Sequence, residues 1–186
     1  MFIGRERELT SLKEFYEKDG QEDYFYTATK VGKNRNLELF SKQVVDLLMP
    51  GVENISFHTT EAVFDFIDKN IGDEKLVLVI DELPYWAERD EALLSILQKY
   101  MDTVWKDKNL KVILCGSALS FMERKVLSEK SPLFGRRDSQ IRLEAFNYLD
   151  AAKFVPEYSN EDKAICYGIT GGVATVSYTH LTLPTN

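Results

Sequence analysis

Cysteine and histidine are almost missing from this chain of 186 residues: Cys115, Cys166, His58 and His180 are all it has. Two cysteines outside metal-ligand spacing cannot build a disulfide framework, and with so few histidines a zinc site is not expected. Basic residues are also short. Lys and Arg number 23 against 30 Asp and Glu, for a formal net charge of -7. That balance argues against a nucleic-acid footprint spread over the chain, although it leaves local basic patches open. No apolar run approaches the ~20 residues of a membrane span, and the N-terminus lacks a signal-peptide pattern. These absences together read as a reduced, cytoplasmic protein with no membrane partner. The length suffices for one α/β domain with its own core and is too short for two comfortable ones.

The most informative stretch is Leu76-Val-Leu-Val-Ile-Asp-Glu82. Five aliphatic residues in a row predict a strand buried on both faces, the pattern of a central parallel strand. Two carboxylates follow at its C-terminal end, the edge where open α/β sheets bind ligands. A second, largely apolar run, Leu110-Lys-Val-Ile-Leu-Cys115, predicts another buried strand, and Gly116-Ser117 follows it.

Other elements follow from periodicity. Leu9, Leu12 and Phe15/Tyr16 share one face of a helix over residues 5–18, and residues 24–29 are rich in β-formers. Asn36 is the expected cap of a helix carrying Leu37, Phe40, Val44 and Leu47/Leu48, and Thr59 or Thr60 opens the next one. A loop around Pro84 should lead into a long helix from about Asp90 to Lys106. Further helices are expected near 119–127, 147–154 and 160–168, with a shorter strand at 140–144. Trp86 and Trp105 are expected in the core. Strands alternating with helices predict a parallel sheet covered on both faces.

Several motifs occur in order: Phe2-Ile-Gly-Arg-Glu6, Val79-Ile-Asp-Glu-Leu-Pro-Tyr85, Leu114-Cys-Gly-Ser117, Ser131-Pro-Leu-Phe-Gly-Arg-Arg137 and Tyr167-Gly-Ile-Thr-Gly-Gly172. Over about residues 2–174 the chain thus resembles the AAA-type ATPases of bacteria and archaea related to the STAND NTPases. The resemblance implies an α/β fold, a three-layer parallel sheet of the P-loop NTPase (ASCE/AAA) type, and use of Mg-ATP. It implies that Asp81 of the Walker B layout holds the Mg²⁺ shell and that Glu82 polarises the attacking water. Ser117 would sense the γ-phosphate, or serve as a helix cap, and both roles are compatible. Ile3 and Gly4 would lie near the adenine. Arg136 and Arg137 would reach a phosphate, including one of a neighbouring subunit in an oligomer; a solvated turn with surface arginines explains them equally well. A C-terminal region beyond this chain, engaging DNA or a partner protein, is implied by the same resemblance.

The departure from that family is as informative as the match. Its members carry a strand, a Gly-rich loop ending in Gly-Lys-Ser/Thr and a helix ahead of the Tyr-Phe-Tyr strand. Here Gly20-Gln21-Glu22-Asp23 joins the first helix directly to that strand, a deficit of roughly 30 residues, the size of one βαβ step. Val31-Gly-Lys-Asn34 does not replace the loop. Thr27 stands where its first glycine is required, and Asn34 offers no hydroxyl to Mg²⁺. Efficient hydrolysis should therefore be lost. The expected organisation is an ATPase-type domain over residues 1–174, internally deleted near 20–23, followed by a foreign-looking tail at 175–186. That Thr-rich tail resembles translated sequencing adapter, with a natural edge strand or loose tail as the alternative. A different kind of function also fits: a nucleotide-independent interaction module that keeps the ATPase scaffold. A serine hydrolase finds no histidine for a triad. For nuclease chemistry with Asp81, Glu82 and Glu88, no lysine completes a Glu-x-Lys arrangement.

Overall fold

The aliphatic run of residues 76–80 has no polar side chain to offer solvent, and it is buried throughout. In the computed structural model, which describes residues 5–6, 8–10, 12, 21–52, 55–72 and 75–173, it is the middle strand of a three-stranded sheet. Strand β1 (Gln21–Thr27), β2 (Lys75–Asp81) and β3 (Leu110–Leu114) lie in the order β1-β2-β3. Both pairings are parallel, with Thr27 opposite Asp81 and Ile80 opposite Leu114. All the strand C-termini therefore share one rim.

Helices α1 (Lys33–Leu48), α2 (Thr60–Asn70), α3 (Leu83–Ala87) and α4 (Leu93–Lys99) contribute to one core with the sheet. Alternation along the strands turns Tyr24, Tyr26, Leu76, Leu78 and Ile80 toward this core, with Leu110, Val112 and Leu114 beside them. Its centre is aromatic. Phe40 packs edge-on to Tyr24, Tyr26 and Phe64, and tilted against Trp86. Phe64 in turn meets Tyr100 and Trp105. Val77 and Val79, on the other face of β2, are also buried. The α/β class with a parallel sheet is thus the observed architecture.

Several elements depart from the sequence expectation. Gly32, not Asn36, precedes α1 as its cap residue, and no side chain caps that end. Asn36 lies inside the helix, fully buried. Its amide accepts from the Tyr26 hydroxyl (2.8 Å) and the Thr29 N–H (3.0 Å) and donates to the Thr29 carbonyl (3.0 Å). A side chain that satisfies the β1–α1 loop is unavailable to the helix end. Thr59 does cap α2, accepting from the Ala62 N–H at 3.2 Å.

The loop expected at Pro84 is helix α3, because proline fits the first turn of a helix, where its missing N–H costs nothing. The helix expected over 90–106 is shorter: α4 ends at Lys99 and passes into a π-helical turn, Tyr100–Val104. The segment after β3 has the same form, α5 (Leu119–Phe121) and then a π turn at Met122–Val126. β3 is half-buried rather than buried, and among the described residues it has a neighbouring strand on one side only. The strand expected at 140–144 does not form, and Ile141 and Leu143 are exposed. Leu12, expected on an inward stripe, is likewise exposed.

The chain divides into two compact units, one within Lys18–Asp138 and one within Met1–Glu17 plus Ser139–Asn186. The second contains α6 (Tyr148–Ala152), capped by Asn147, and α7 (Asn160–Thr170), capped by Ser159. Gly171 (φ 58°) ends α7 in the left-handed conformation typical of that position. Next to it, Gly172 (φ 73°) accepts from the Phe146 N–H at 2.8 Å, and a Cβ there would lie 2.1 Å from the Phe146 oxygen. The Arg5 guanidinium covers the Phe146 ring at 4.1 Å and donates to the Glu144 carbonyl at 2.6 Å. The end of the expected domain at 174 and the tail at 175–186 lie outside the described residues.

Candidate functional site

β2 delivers Asp81 and Glu82 to the rim because the aliphatic run ends there and the chain must leave the sheet. Asp81 is still in the ladder: its carbonyl accepts from the Ala28 N–H at 2.9 Å. Glu82 turns the chain. Its φ of 50° is the one positive value at a non-glycine among the described residues, a conformation that costs about 1–3 kcal/mol and persists only where neighbours enforce it. They do. The Leu83 N–H donates to the Cys115 carbonyl (3.0 Å), and the Tyr85 N–H donates back to Glu82 (2.9 Å).

This turn aims the Glu82 carboxylate at the tip of β3. The Ser117 hydroxyl lies 2.8 and 3.0 Å from its two oxygens, and the Ser117 N–H donates at 3.3 Å. The residues expected to act together are thus brought together across two parallel strands. Ser117 is exposed and does not open α5, whose preceding residue is Ala118. Its partner is Glu82, not a helix end.

Gly116 makes the approach of the two strand tips possible. A Cβ on it would stand 2.6 Å from Pro84 Cδ and 3.2 Å from Met122 Sδ, so the Pro84 ring occupies the space a side chain would need. Beside it, the Cys115 thiol is pushed above its ordinary 9.0, first by burial and then by the negative charges of Asp81 and Glu82. That response registers a negative rim.

Of the basic pair expected near it, Arg136 is engaged elsewhere. Arg136 donates to Asp102 at 2.6 Å and to the Pro132 and Phe134 carbonyls at 3.0 and 2.9 Å. This pairing holds the Asp102 carboxyl below its usual range. Arg137 is exposed. Lys33, the lysine of the Val-Gly-Lys-Asn segment, is paired at 3.0 Å with Asp90, whose side chain is only 2% exposed. Lys30 lies over the Tyr85 ring at 5.0 Å. Ile3 and Gly4 fall outside the described residues. Sequence reasoning missed the Lys33–Asp90 clamp and the role of Gly116. The Gly-Ser step after an aliphatic run was a readable signal for Gly116, whereas nothing local links Lys33 to a residue so far along the chain.

The donor set can be tested against Mg-ATP. Asp81 and Glu82 are hard oxygen ligands suited to Mg²⁺, yet no group of three or more His, Cys, Asp or Glu able to hold a metal exists among the described residues. The acids fit a metal that brings phosphate oxygens and waters with it. For the polyphosphate, Lys33 and Arg136 are not at hand, since both are committed to carboxylates.

Residues 4–176 match the family described as an ATPase domain predominantly from Archaea. An uncharacterized protein of Methanocaldococcus jannaschii is 28% identical over 194 residues, covering 93% of this chain and 42% of that protein. A second uncharacterized protein of the same organism is 36% identical over 56 residues, covering 30% of this chain and 54% of its own length. This chain thus spans about half or less of the curated relatives it matches. Among solved structures, a Walker-type ATPase of Pyrococcus abyssi aligns with a TM-score of 0.50 at 14% identity, covering 95% of this chain and 58% of the other. That likeness concerns the fold. No described helix is long and apolar enough to cross a membrane.

Proposed function

This chain belongs to the family of ATPase domains found predominantly in Archaea, and from that membership we propose that its sheet rim is the metal-and-water half of an ATP site lacking its phosphate half. The observation that carries the reading is the bridge between Glu82 and Ser117 at the tips of adjacent parallel strands. In this assignment Asp81 is the metal ligand and Glu82 orients the attacking water. Ser117 holds the Glu82 carboxylate in place and reports on the terminal phosphate. Mg²⁺, when bound with nucleotide, supplies neutralisation of the β- and γ-phosphate charge. Ile3 and Gly4 belong to the adenine side. Arg136 joins the site only by leaving Asp102, while Arg137 is already exposed to solvent. The finer AAA/STAND-like assignment rests on the ordered motifs of the sequence.

The missing half is a physical deficit. A phosphate loop contributes a row of backbone N–H donors, a lysine and a helix N-terminus aimed at the polyphosphate. Here a highly charged anion would face the Asp81 and Glu82 carboxylates without them. The 194-residue span of the match to the Methanocaldococcus jannaschii protein exceeds the 186 residues of this chain. The relative therefore carries residues inside the match that this chain lacks, as an internal deletion requires, and the placement of that deletion near residues 20–23 rests on the sequence motifs. The intact domain would bind Mg-ATP and turn it over slowly as a switch, with DNA or protein partners contacted by the region beyond residue 174. Isothermal titration of the chain with Mg-ATP tests the reading: no binding is expected at micromolar nucleotide, and a micromolar Kd would overturn it. The competing role, a nucleotide-independent interaction module on the same scaffold, is favoured by the same commitment of Lys33 and Arg136 to carboxylates. It predicts a natural gene reading straight through Gly20-Gln21.

A further inference from the structure

The stretch from Glu82 to Asp90 runs between two ties at the sheet rim. Glu82 is bridged to Ser117 beyond the tip of β3, and Asp90 accepts from the Lys33 ammonium at the start of α1 at 3.0 Å. Between them the backbone is bonded turn by turn. The Tyr85 N–H donates to Glu82 (2.9 Å), the Glu88 N–H to Pro84 (3.0 Å) and the Asp90 N–H to Trp86 (3.0 Å). A helix of 5 residues such as α3 does not hold itself in water and needs outside anchors. Trp86 is one, packed on Phe40 and Tyr26 with ring centroids 5.2 and 5.7 Å away. The anchor at the far end is polar. The Asp90 side chain is 2% exposed, its Oδ2 is buried without a hydrogen-bond partner, and Lys33 is its one ion-pair partner among the described residues. Lys33 is held in turn. Asn36 donates to the Thr29 and Val31 carbonyls (3.0 and 3.4 Å) and so fixes the loop leading to it, and from that loop Lys30 covers the Tyr85 ring of α3 at 5.0 Å.

We propose that Lys33 is a positioning residue: by holding Asp90 it fixes the far end of α3, and through α3 the left-handed turn that aims Glu82 at Ser117. Glu82 keeps its φ of 50° only while both of its flanks are fixed. β2 supplies one flank, because the Asp81 carbonyl is tied to the Ala28 N–H. α3 supplies the other. Without Lys33 the Asp90 carboxylate is a buried charge that must reach water or take up a proton, and either outcome loosens the end of α3. The lysine of Val31-Gly-Lys-Asn34 thus serves the acidic rim from behind and is not a phosphate ligand. This assignment rests on the proposed function only in giving Glu82 its water-orienting role, and the tie itself is independent of nucleotide.

Amide hydrogen exchange of the full chain, read residue by residue by NMR, tests it together with urea unfolding. Lys33→Met should speed exchange at Leu83 and Tyr85, whose N–H groups close the Glu82 turn, by about 10-fold or more relative to Val44 inside α1. Lys33→Arg keeps a cation within reach of Asp90 and should restore slow exchange. Lys33→Met combined with Asp90→Asn removes the uncompensated charge as well. Its urea midpoint should recover toward that of the parent chain while Leu83 and Tyr85 stay fast. Equal acceleration at Leu83, Tyr85 and Val44 would overturn the proposal, and so would a double variant in which midpoint and exchange both recover, since Lys33 would then only neutralise a buried charge. Nucleotide does not enter these readouts, so Mg-ATP binding by the parent chain would contradict the proposed function and leave this assignment standing.

Discussion

Gly116 has no room for a side chain at the rim. Because a Cβ there would meet the Pro84 ring at 2.6 Å, Gly116→Ala should force the tip of β3 away from α3 and cost about 1–3 kcal/mol. Urea unfolding measures this, and an unchanged midpoint would show that the tips are not packed as described. Cys115 reports on the charges beside it. Asp81→Asn removes one of the groups that raise its thiol pKa, so in a Cys166→Ser background the alkylation rate near pH 8 should increase. A rate that stays the same would place Asp81 away from the thiol. The acidic pair and Ser117 were legible in the sequence because each follows a short, largely aliphatic run of strand length, and parallel strands end at a common rim. The commitments of Arg136 to Asp102 and of Lys33 to Asp90 were not legible. They depend on how a π turn and a loop place residues distant along the chain.

Helices and strands are joined here mainly through rings. Phe40, fully buried in α1, touches β1, α2 and α3 through Tyr24, Tyr26, Phe64 and Trp86. Phe40→Ala should therefore cost about 3–5 kcal/mol, read as a lower urea midpoint with the slope preserved; a loss below 1 kcal/mol would place the core elsewhere. The tyrosines of this cluster also set an alkaline limit. Burial raises the Tyr26 hydroxyl from its ordinary 10.0 to about 12, and Tyr24 and Tyr100 shift in the same direction. Above pH 10 the unfolded chain loses phenolic protons that the folded chain keeps, so stability should fall between about pH 10 and 12. Urea midpoints across that range test this, and Tyr26→Phe should lessen the slope.

The same elements show where periodicity succeeds. Apolar spacing located α1 and α2, and an unbroken aliphatic run located β2, because burial imposes those patterns. It failed at 140–144, where Gln140-Ile-Arg-Leu-Glu144 alternates as a strand would. Alternation specifies two faces but supplies no neighbour, and a strand without a ladder partner leaves its backbone groups unpaired. It also could not see the π turns, single wider turns with i→i+5 hydrogen bonds inside segments that otherwise read as helical.

For the whole molecule, the proposed function describes a family ATPase fold that keeps the rim carboxylates Asp81 and Glu82 while its sequence carries no Gly-rich phosphate loop. The fold does not need that loop to form β1-β2-β3, since β2 finds partners on both sides. Charge neutralisation does need it, because hydrolysis of a polyphosphate depends on positioning and electrostatic stabilisation. The most direct test is titration of Mg-ATP into this chain and into one carrying a strand, a Gly-rich Lys-Thr loop and a helix inserted between Gly20 and Gln21. We predict no detectable binding to the first and saturable binding to the second, abolished by Asp81→Asn. Micromolar binding to the uninserted chain that survives Asp81→Asn would contradict the account.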